Sequence, residues 1–166
     1  LPIGQQIITT KLTIDSQLTG DDLSELRRWI AVRPWMPSVD RVAVSELRIT
    51  RGAYEERTRD LIEKYLGAIH HEPPALQTLL RFALLCVLEE VSFTRKDGQY
   101  LRWDYRSGRK QGKKIFDKGE ILDFEQAITR KLEEIAADLT LTPLQPSLFQ
   151  NGHGTRGKIR LLSGSC

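Results

Sequence analysis

The feature that most constrains the fold is an apolar run from Leu76 to Leu88. Only Gln77, Thr78 and Arg81 interrupt it with polar side chains. A surface helix carries one apolar stripe, whereas a segment that is apolar on nearly every side is typical of a helix buried among other elements. The run is also too short to cross a bilayer, which takes about 20 residues. The sequence therefore predicts a central core helix over residues 75–91.

Hydrophobic spacing predicts further helices around this one, in a single helical domain over residues 1–139. The chain has 166 residues, of which 40% are hydrophobic, and this suffices for one buried core. Apolar side chains recur at helical intervals in four other segments. These segments are 3–18, 22–32, 52–70 and 121–139. Between them, Trp35 and Met36 are predicted to enter the core from a loop, and 42–49 to be a short strand or irregular.

The pattern changes after the central helix. Residues 93–103 are predicted to form a β-hairpin, because Asp97-Gly98 is a strong turn signal between two short runs. Residues 104–119 contain three glycines and few apolar side chains, which predicts a long basic loop. Prolines and glycines in 140–157 indicate a linker, and 158–166 is predicted to contain a short C-terminal strand.

The charge is concentrated in this second part. Residues 95–118 hold nine basic and three acidic side chains, a net +6. The formal charge of the whole chain is only +3, so the remainder carries −3. A basic segment on a mildly acidic background favours a polyanionic partner.

Aromatic side chains alternate with the basic ones in the same segment. Basic groups pair with phosphates, and exposed aromatic rings or guanidinium planes can stack on nucleobases. The opposing interpretation is that Tyr100 and Trp103 belong to the hairpin core and that the lysines form an ordinary solvated loop. The charge asymmetry favours nucleic-acid contact. The candidate contacts are Arg95, Lys96, Tyr100, Arg102, Trp103, Tyr105, Arg106, Arg109, Lys110, Lys113 and Lys114.

No set of residues forms a self-sufficient active site or metal site. His70 and His71 are adjacent at a predicted helix end and point in different directions, so helix capping is favoured over metal binding. Cys86 is predicted to be a small buried hydrophobe, and with Cys166 it does not suggest a disulfide framework. We therefore assign no catalytic residue and no metal ligand. Without a signal peptide or a membrane span, a cytoplasmic protein with no membrane partner is expected.

Residues 89–106, from Glu89-Glu90-Val91 to Asp104-Tyr105-Arg106, resemble a segment of some DNA amino-methyltransferases. That family methylates adenine N6 or cytosine N4 with S-adenosylmethionine as the methyl donor. The family's glycine-rich cofactor loop and its Pro-Pro-Tyr/Phe catalytic motif do not occur in this chain. The resemblance therefore implies a helical insertion within a larger α/β methyltransferase, and both ends look cut from a longer protein.

The two ends of the chain resemble parts of the family's cofactor core. The start, Leu1-Pro2-Ile3-Gly4, is similar to the segment that comes after the ribose-binding end of a core strand. Residues 158–166 are similar to the next strand, whose tip lies near the cofactor adenine. The resemblance thus implies Leu1, Pro2 and Ser165 as cofactor neighbours, although Ser165 stands where the family often has Asp.

The expected fold is a mainly α, bundle-like insertion with one β-hairpin and a short C-terminal strand. The expected function is that of a DNA-contacting, target-recognition-like region of a methyltransferase, without a catalytic motif of its own. Its partners would be DNA and the remaining methyltransferase core. S-adenosylmethionine is expected in the full-length protein and not in the isolated chain. The alternatives are a free-standing helical module that binds nucleic acid or protein, and a purely structural helical insert.

Overall fold

The computed structural model describes residues 2–16, 18–98, 100–110 and 115–141. This part of the chain is mainly helical and contains one antiparallel two-stranded hairpin, as predicted. Residues 142–166 lie outside the described residues, and with them the predicted strand at 158–166 and most of the predicted linker. The elements are α1 (Pro2–Ser16), α2 (Gly20–Val32), α3 (Glu56–Ile69), α4 (Pro74–Val87), β1 (Thr94–Asp97), β2 (Tyr100–Trp103), a 3₁₀ turn (Tyr105–Ser107) and α5 (Phe124–Leu141).

Helix α4 is the centre of the domain, as its apolar sequence predicts. It packs against α1, α2, α3 and α5. Its first turn carries Pro74, whose missing N–H costs little at that position. The side chains that it buries against its neighbours recur at helical intervals. They are Leu76, Leu79, Leu80, Ala83, Leu84 and Val87.

The end of α4 departs from the prediction of a helix that is buried on every side. Leu85 is 37% exposed, and Cys86 is also exposed, so its assignment as a buried hydrophobe was wrong. The buried residues of α4 lie on one broad face of the helix. Residues 85 and 86 lie on the opposite face, which is exposed. An apolar composition does not reveal which face meets a neighbour.

Leu84 and Leu85 provide a matched test of this arrangement. Leu84→Ala should lower the free energy of unfolding by about 2–5 kcal/mol, because it removes a 5%-exposed side chain and leaves a cavity. Leu85→Ala removes the same atoms from a partly solvated position and should cost less than about 1 kcal/mol. Urea unfolding of both variants measures the difference. Equal losses would contradict the position assigned to α4.

Four aromatic rings pack together in the core beside α4. Trp29 and Trp35 lie 5.4 Å apart between ring centroids, and Tyr65 meets both edge-on at 5.4 Å. Phe124 packs against Tyr65 at 5.8 Å. The Tyr65 hydroxyl donates to the Leu80 carbonyl at 3.1 Å, which satisfies its buried polar group. Trp35 therefore enters the core from its loop as predicted, whereas Met36 stays exposed.

Residues 38–50 form no regular strand and instead lie against α3. The Val42 N–H donates to the Glu63 carbonyl at 3.1 Å, and the Val44 N–H donates to the Glu63 carboxylate at 3.1 Å. Gly67 allows the close approach, because a Cβ at that position would lie 2.3 Å from the Asp40 carbonyl oxygen. This segment is therefore held by hydrogen bonds to Glu63 and by close packing at Gly67 of α3, and not by pairing with another strand.

Helix α2 begins two residues before the predicted start, with Thr19 as its N-cap. Thr19 accepts a hydrogen bond from the Asp22 N–H, and the Asp22 carboxylate accepts one from the Thr19 N–H, which forms a capping box. In contrast, α3 begins at Glu56 rather than at Gly52. The Ala53 carbonyl accepts the Phe93 N–H at 2.7 Å, so this stretch anchors the hairpin and does not extend the helix. Across the described residues, no helix combines the length and hydrophobicity that a membrane crossing needs.

Candidate nucleic-acid interface

The β1–β2 hairpin is fixed to the helical body at its base and exposed along its length. The Phe93 N–H donates to Ala53, and the Asp104 N–H donates to the Phe93 carbonyl at 2.8 Å. Thr94 is the buried residue of β1, and the strand residues beyond it are exposed. The hairpin is therefore a ribbon that projects from an anchored base.

The strand register locates the turn one residue later than the Asp-Gly motif suggested. Asp97 pairs with Tyr100, so the turn begins at Gly98 and not at Asp97. Gly98 has a φ of 58°, which glycine adopts without the steric cost that a Cβ would bring. The Asp-Gly motif thus correctly predicted Gly98 as a turn residue, but Asp97 belongs to β1 and not to the turn.

The pairing gives the two faces of the ribbon different chemistry. Arg95 pairs directly with Arg102, and Asp97 pairs with Tyr100 on the same face. Two like charges directly opposite each other destabilise a hairpin. Asp97 offsets part of this repulsion, because its carboxylate lies 3.3 Å from the Arg102 guanidinium. The other face carries Thr94, Lys96, Leu101 and Trp103.

Arginine side chains stack on the aromatic rings of this region. The Arg109 guanidinium lies 3.5 Å from the centroid of the Trp103 ring, and the Arg102 guanidinium lies 4.2 Å from that of Phe116. Arg109 also donates to the Arg51 carbonyl at 2.7 Å. These stacks fix the direction of long side chains and lower the entropy that they would lose on binding a ligand.

Asp104 connects the hairpin to the loop that comes after it. Its buried carboxylate accepts hydrogen bonds from the Arg106 guanidinium at 2.6 and 2.9 Å, from the Arg106 N–H at 2.9 Å and from the Lys118 N–H at 2.7 Å. The guanidinium, and then the backbone donors, hold the pKa of Asp104 well below its usual range. The predicted basic loop at 104–119 is thus tied to Asp104 at both of its ends.

Lys118 also serves the fold. Its ammonium donates to the Ser92 carbonyl at 2.8 Å and to the Glu89 carbonyl, and burial lowers its pKa. Because Lys118 and Arg106 are both engaged in this way, part of the positive charge seen in the sequence serves to attach the loop.

Asp104→Asn should destabilise the chain in a pH-dependent manner. At pH 7 we expect a loss of about 1–3 kcal/mol, toward the lower end because Arg106 keeps contact with solvent. A carboxylate with a lowered pKa in the folded state stabilises the protein above its ordinary pKa, and that contribution is lost as the pH falls through the folded value. Urea unfolding at several pH values should therefore show that the difference in unfolding free energy between the wild type and Asp104→Asn becomes smaller below about pH 4. A difference that stays constant down to about pH 2 would contradict the role of Asp104.

Comparison with known proteins gives the family context. The whole chain is 45% identical, over 166 residues, to the Type II methyltransferase M.AvaI of a Nostoc strain, and equally to that of Anabaena variabilis. The chain is homologous to a region of type II methyltransferases. The Type II methyltransferase M.BsoBI of Geobacillus stearothermophilus is 36% identical over 110 residues, which cover 57% of this chain and 22% of that protein. No protein-family profile matches the chain, and no solved structure matches it.

The resemblance to DNA methyltransferases is therefore confirmed at the level of the family. The chain spans 34% of the length of the M.AvaI relatives. This share agrees with the prediction that the chain is part of a larger methyltransferase.

Within this methyltransferase region, the predicted contact residues fall into two groups. One group is exposed at or beside the hairpin, and Arg95 and Lys96 in it make no ion pair with any described residue. This group also contains Tyr100, Tyr105 and Lys110. The other group is engaged within the region, as the stacks and the Asp104 contacts demonstrate. Its members are Arg102, Trp103, Arg106 and Arg109.

Some predicted residues of the methyltransferase region lie outside the described residues. They are Lys113 and Lys114 in the loop and Leu1 and Ser165 near the ends. Pro2 is the first residue of α1. At the predicted helix end, His70 caps α3, and His71 Nε2 lies 2.8 Å from the Asp40 carboxylate.

Two exposed apolar side chains beside the basic ones were not predicted from the sequence of the methyltransferase region. Leu101 lies on the Lys96 face of the hairpin, and Ile115 is exposed within the loop. A branched apolar residue in an otherwise polar loop was the available signal. Such side chains can contact a thymine methyl group or a base step.

Proposed function

We propose that this chain is the DNA-contacting region of a type II DNA methyltransferase, and that the hairpin is its main point of contact. The catalytic and cofactor motifs would lie elsewhere in the same protein. S-adenosylmethionine would bind there, with Leu1, Pro2 and Ser165 near it. The observation that carries the proposal is the anchored hairpin, whose basic side chains Arg95 and Lys96 form no ion pair with the described residues.

The shape of the hairpin supports this proposal. The DNA major groove is about 12 Å wide and admits a two-stranded β-ribbon. Methylation of a base inside a duplex requires that the base be flipped out, so such an enzyme needs elements that grip the surrounding duplex. A ribbon that is hydrogen-bonded to the body at Phe93 and closed at its base by the Asp104–Phe93 hydrogen bond can enter a groove without losing its own structure.

The charges of the hairpin support the same proposal. The Arg95–Arg102 pair is repulsive in the free chain, and an anion between the two guanidinium groups would relieve the repulsion. Phosphate is such an anion, and arginine pairs with it in a bidentate manner. On the other face of the hairpin, Lys96 supplies a positive charge and Leu101 an apolar surface for contact with DNA.

The sequence left open whether the aromatic side chains stack on nucleobases or belong to the hairpin core. We assign Tyr100 to the first role and Trp103 to the second. Tyr100 is 78% exposed near the tip of the ribbon, where it could reach base edges or stack on a base. Trp103 supports Arg109 and belongs to the base of the hairpin. We therefore propose Tyr100 for base contacts, and Arg95, Lys96, Arg102, Arg109 and Lys110 for phosphates.

The salt dependence of DNA binding tests this function. In the full-length methyltransferase, Arg95→Ala with Lys96→Ala should weaken binding to duplex DNA. It should also reduce the slope of log affinity against log salt by about 0.9 for each phosphate that the variant no longer neutralises. Fluorescence anisotropy at several salt concentrations measures both quantities.

A matched control removes the same two charges elsewhere. Arg27 and Arg48 are exposed outside the hairpin, and their double alanine variant should keep both the affinity and the slope. If the two double variants behave alike, the hairpin contributes only general charge and the function must be assigned to another surface.

A further inference from the structure

Helix α1 turns its polar side chains inward. Thr10 and Thr13 are its buried residues, and the Gln6 amide donates to the Thr78 carbonyl of α4 at 3.4 Å. The Thr10 hydroxyl is satisfied by the Gln6 carbonyl at 2.8 Å. No residue of α1 belongs to the hydrophobic core of the described residues. The helix therefore packs on α4 with Gln6 hydrogen-bonded to it and with Thr10 and Thr13 as its fully buried side chains.

The isoleucine side chains of α1 are exposed, whereas Leu12 is half-buried. Ile3 is 64% exposed, Ile7 is 51% exposed and Ile14 is 38% exposed. Their spacing of four and seven residues aligns them along one side of the helix. Single exposed apolar residues are common, but an aligned row beside buried threonines reverses the pattern of an ordinary surface helix.

The chemistry of this row excludes DNA as its occupant. Residues 2–14 contain one charged side chain, Lys11, so the surface lacks the cluster of cations that a phosphate backbone requires. An apolar protein surface fits the isoleucines instead.

The size of the row favours a partner within the same polypeptide. A helix of 15 residues is about 22 Å long, and one side of it offers far less than the roughly 800 Å² per partner of a stable dimer. A tethered segment needs a smaller contact, because the linkage gives it a high effective concentration. This chain corresponds to 34% of the length of the M.AvaI relatives, so a tethered segment of that kind has a source.

We propose that the row formed by Ile3, Ile7 and Ile14 docks against the part of the methyltransferase that lies outside this chain. The inference rests on the proposed function, because it requires the larger protein. Helix α1 then joins the DNA-contacting domain to the remaining domain.

Cysteine labelling in the full-length methyltransferase tests whether the row is covered. Ile7→Cys should react with a maleimide about tenfold more slowly than Val39→Cys, whose position is 88% exposed, and the two should react equally after denaturation. Site-resolved mass spectrometry separates these positions from Cys86. Equal rates in the native protein would overturn the proposal and leave the salt-slope test of the hairpin unaffected.

A photo-crosslinker in place of Ile7 identifies the occupant. In a mixture of unlabelled and isotope-labelled protein, the expected product joins position 7 to residues of the same molecule outside residues 1–166. A crosslink to residues 142–166, to a second copy or to added DNA would overturn the proposal. So would a yield no higher than that of the same crosslinker at Val39.

Discussion

Trp29→Ala should lower the free energy of unfolding by about 3–5 kcal/mol, the range found for removing a fully buried aromatic ring. Trp29 is fully buried and contacts both Trp35 and Tyr65, so its loss opens a cavity in the aromatic cluster. Its indole N–H also donates to the Glu72 carboxylate, which would lose a partner. Urea unfolding followed by circular dichroism measures the change.

Val32 in the same helix supplies the control for this prediction. Val32 is exposed at the end of α2, so Val32→Ala should change the stability by less than about 0.5 kcal/mol. If the Trp29 variant were no less stable than the Val32 variant, the aromatic cluster would not be the core of the domain.

Charge reversal at the hairpin should have the largest effect on function. In the full-length methyltransferase, Arg95→Glu with Lys96→Glu places two negative charges against the DNA backbone, and like charges at an interface cost several kcal/mol. We expect kcat/KM for DNA to fall by about a hundredfold or more, since each step of about 1.4 kcal/mol corresponds to a factor of ten. Methylation kinetics with varied DNA measure this decrease.

The Michaelis constant for S-adenosylmethionine separates this effect from damage to the cofactor site. It should stay within about twofold of the wild-type value, because the hairpin is proposed to contact DNA and not the cofactor. Arg27→Glu with Arg48→Glu makes the same change of charge outside the hairpin and should leave kcat/KM for DNA nearly unchanged. A decrease that appears equally in both double variants would contradict the assignment.

The sequence predicted the helices well because each one carries its own apolar spacing. Helix α4 was recognisable from composition alone, and the α2 cap from the Thr19 and Asp22 positions. The exposure of Leu85 and Cys86 was not predictable, because it depends on which side of α4 meets its neighbours. The start of α3 differs from the predicted start for a similar reason, because the Ala53 carbonyl accepts a hydrogen bond from the hairpin.

The sequence predicted the hairpin and the basic charge of the candidate site, but not the contacts between its side chains. Charge asymmetry and the Asp-Gly signal identified the hairpin and its basic character. The Asp104–Lys118 hydrogen bond and the stacking of Arg102 on Phe116 join residues 14 positions apart, and no local pattern encodes such pairs. As a result, the sequence could not separate Arg106, which holds the loop, from Arg95, which is free of ion pairs with the described residues.

Crosslinking of the hairpin tip to DNA tests the central claim most directly. In the full-length methyltransferase, Tyr100→Cys should form a disulfide with thiol-tethered duplex DNA in high yield, because Tyr100 is exposed near the tip of the ribbon. Val39→Cys, at an exposed position outside the hairpin, should give only background yield. We expect a crosslink at position 100 that excess unmodified DNA suppresses. Equal yields at positions 100 and 39 would contradict it.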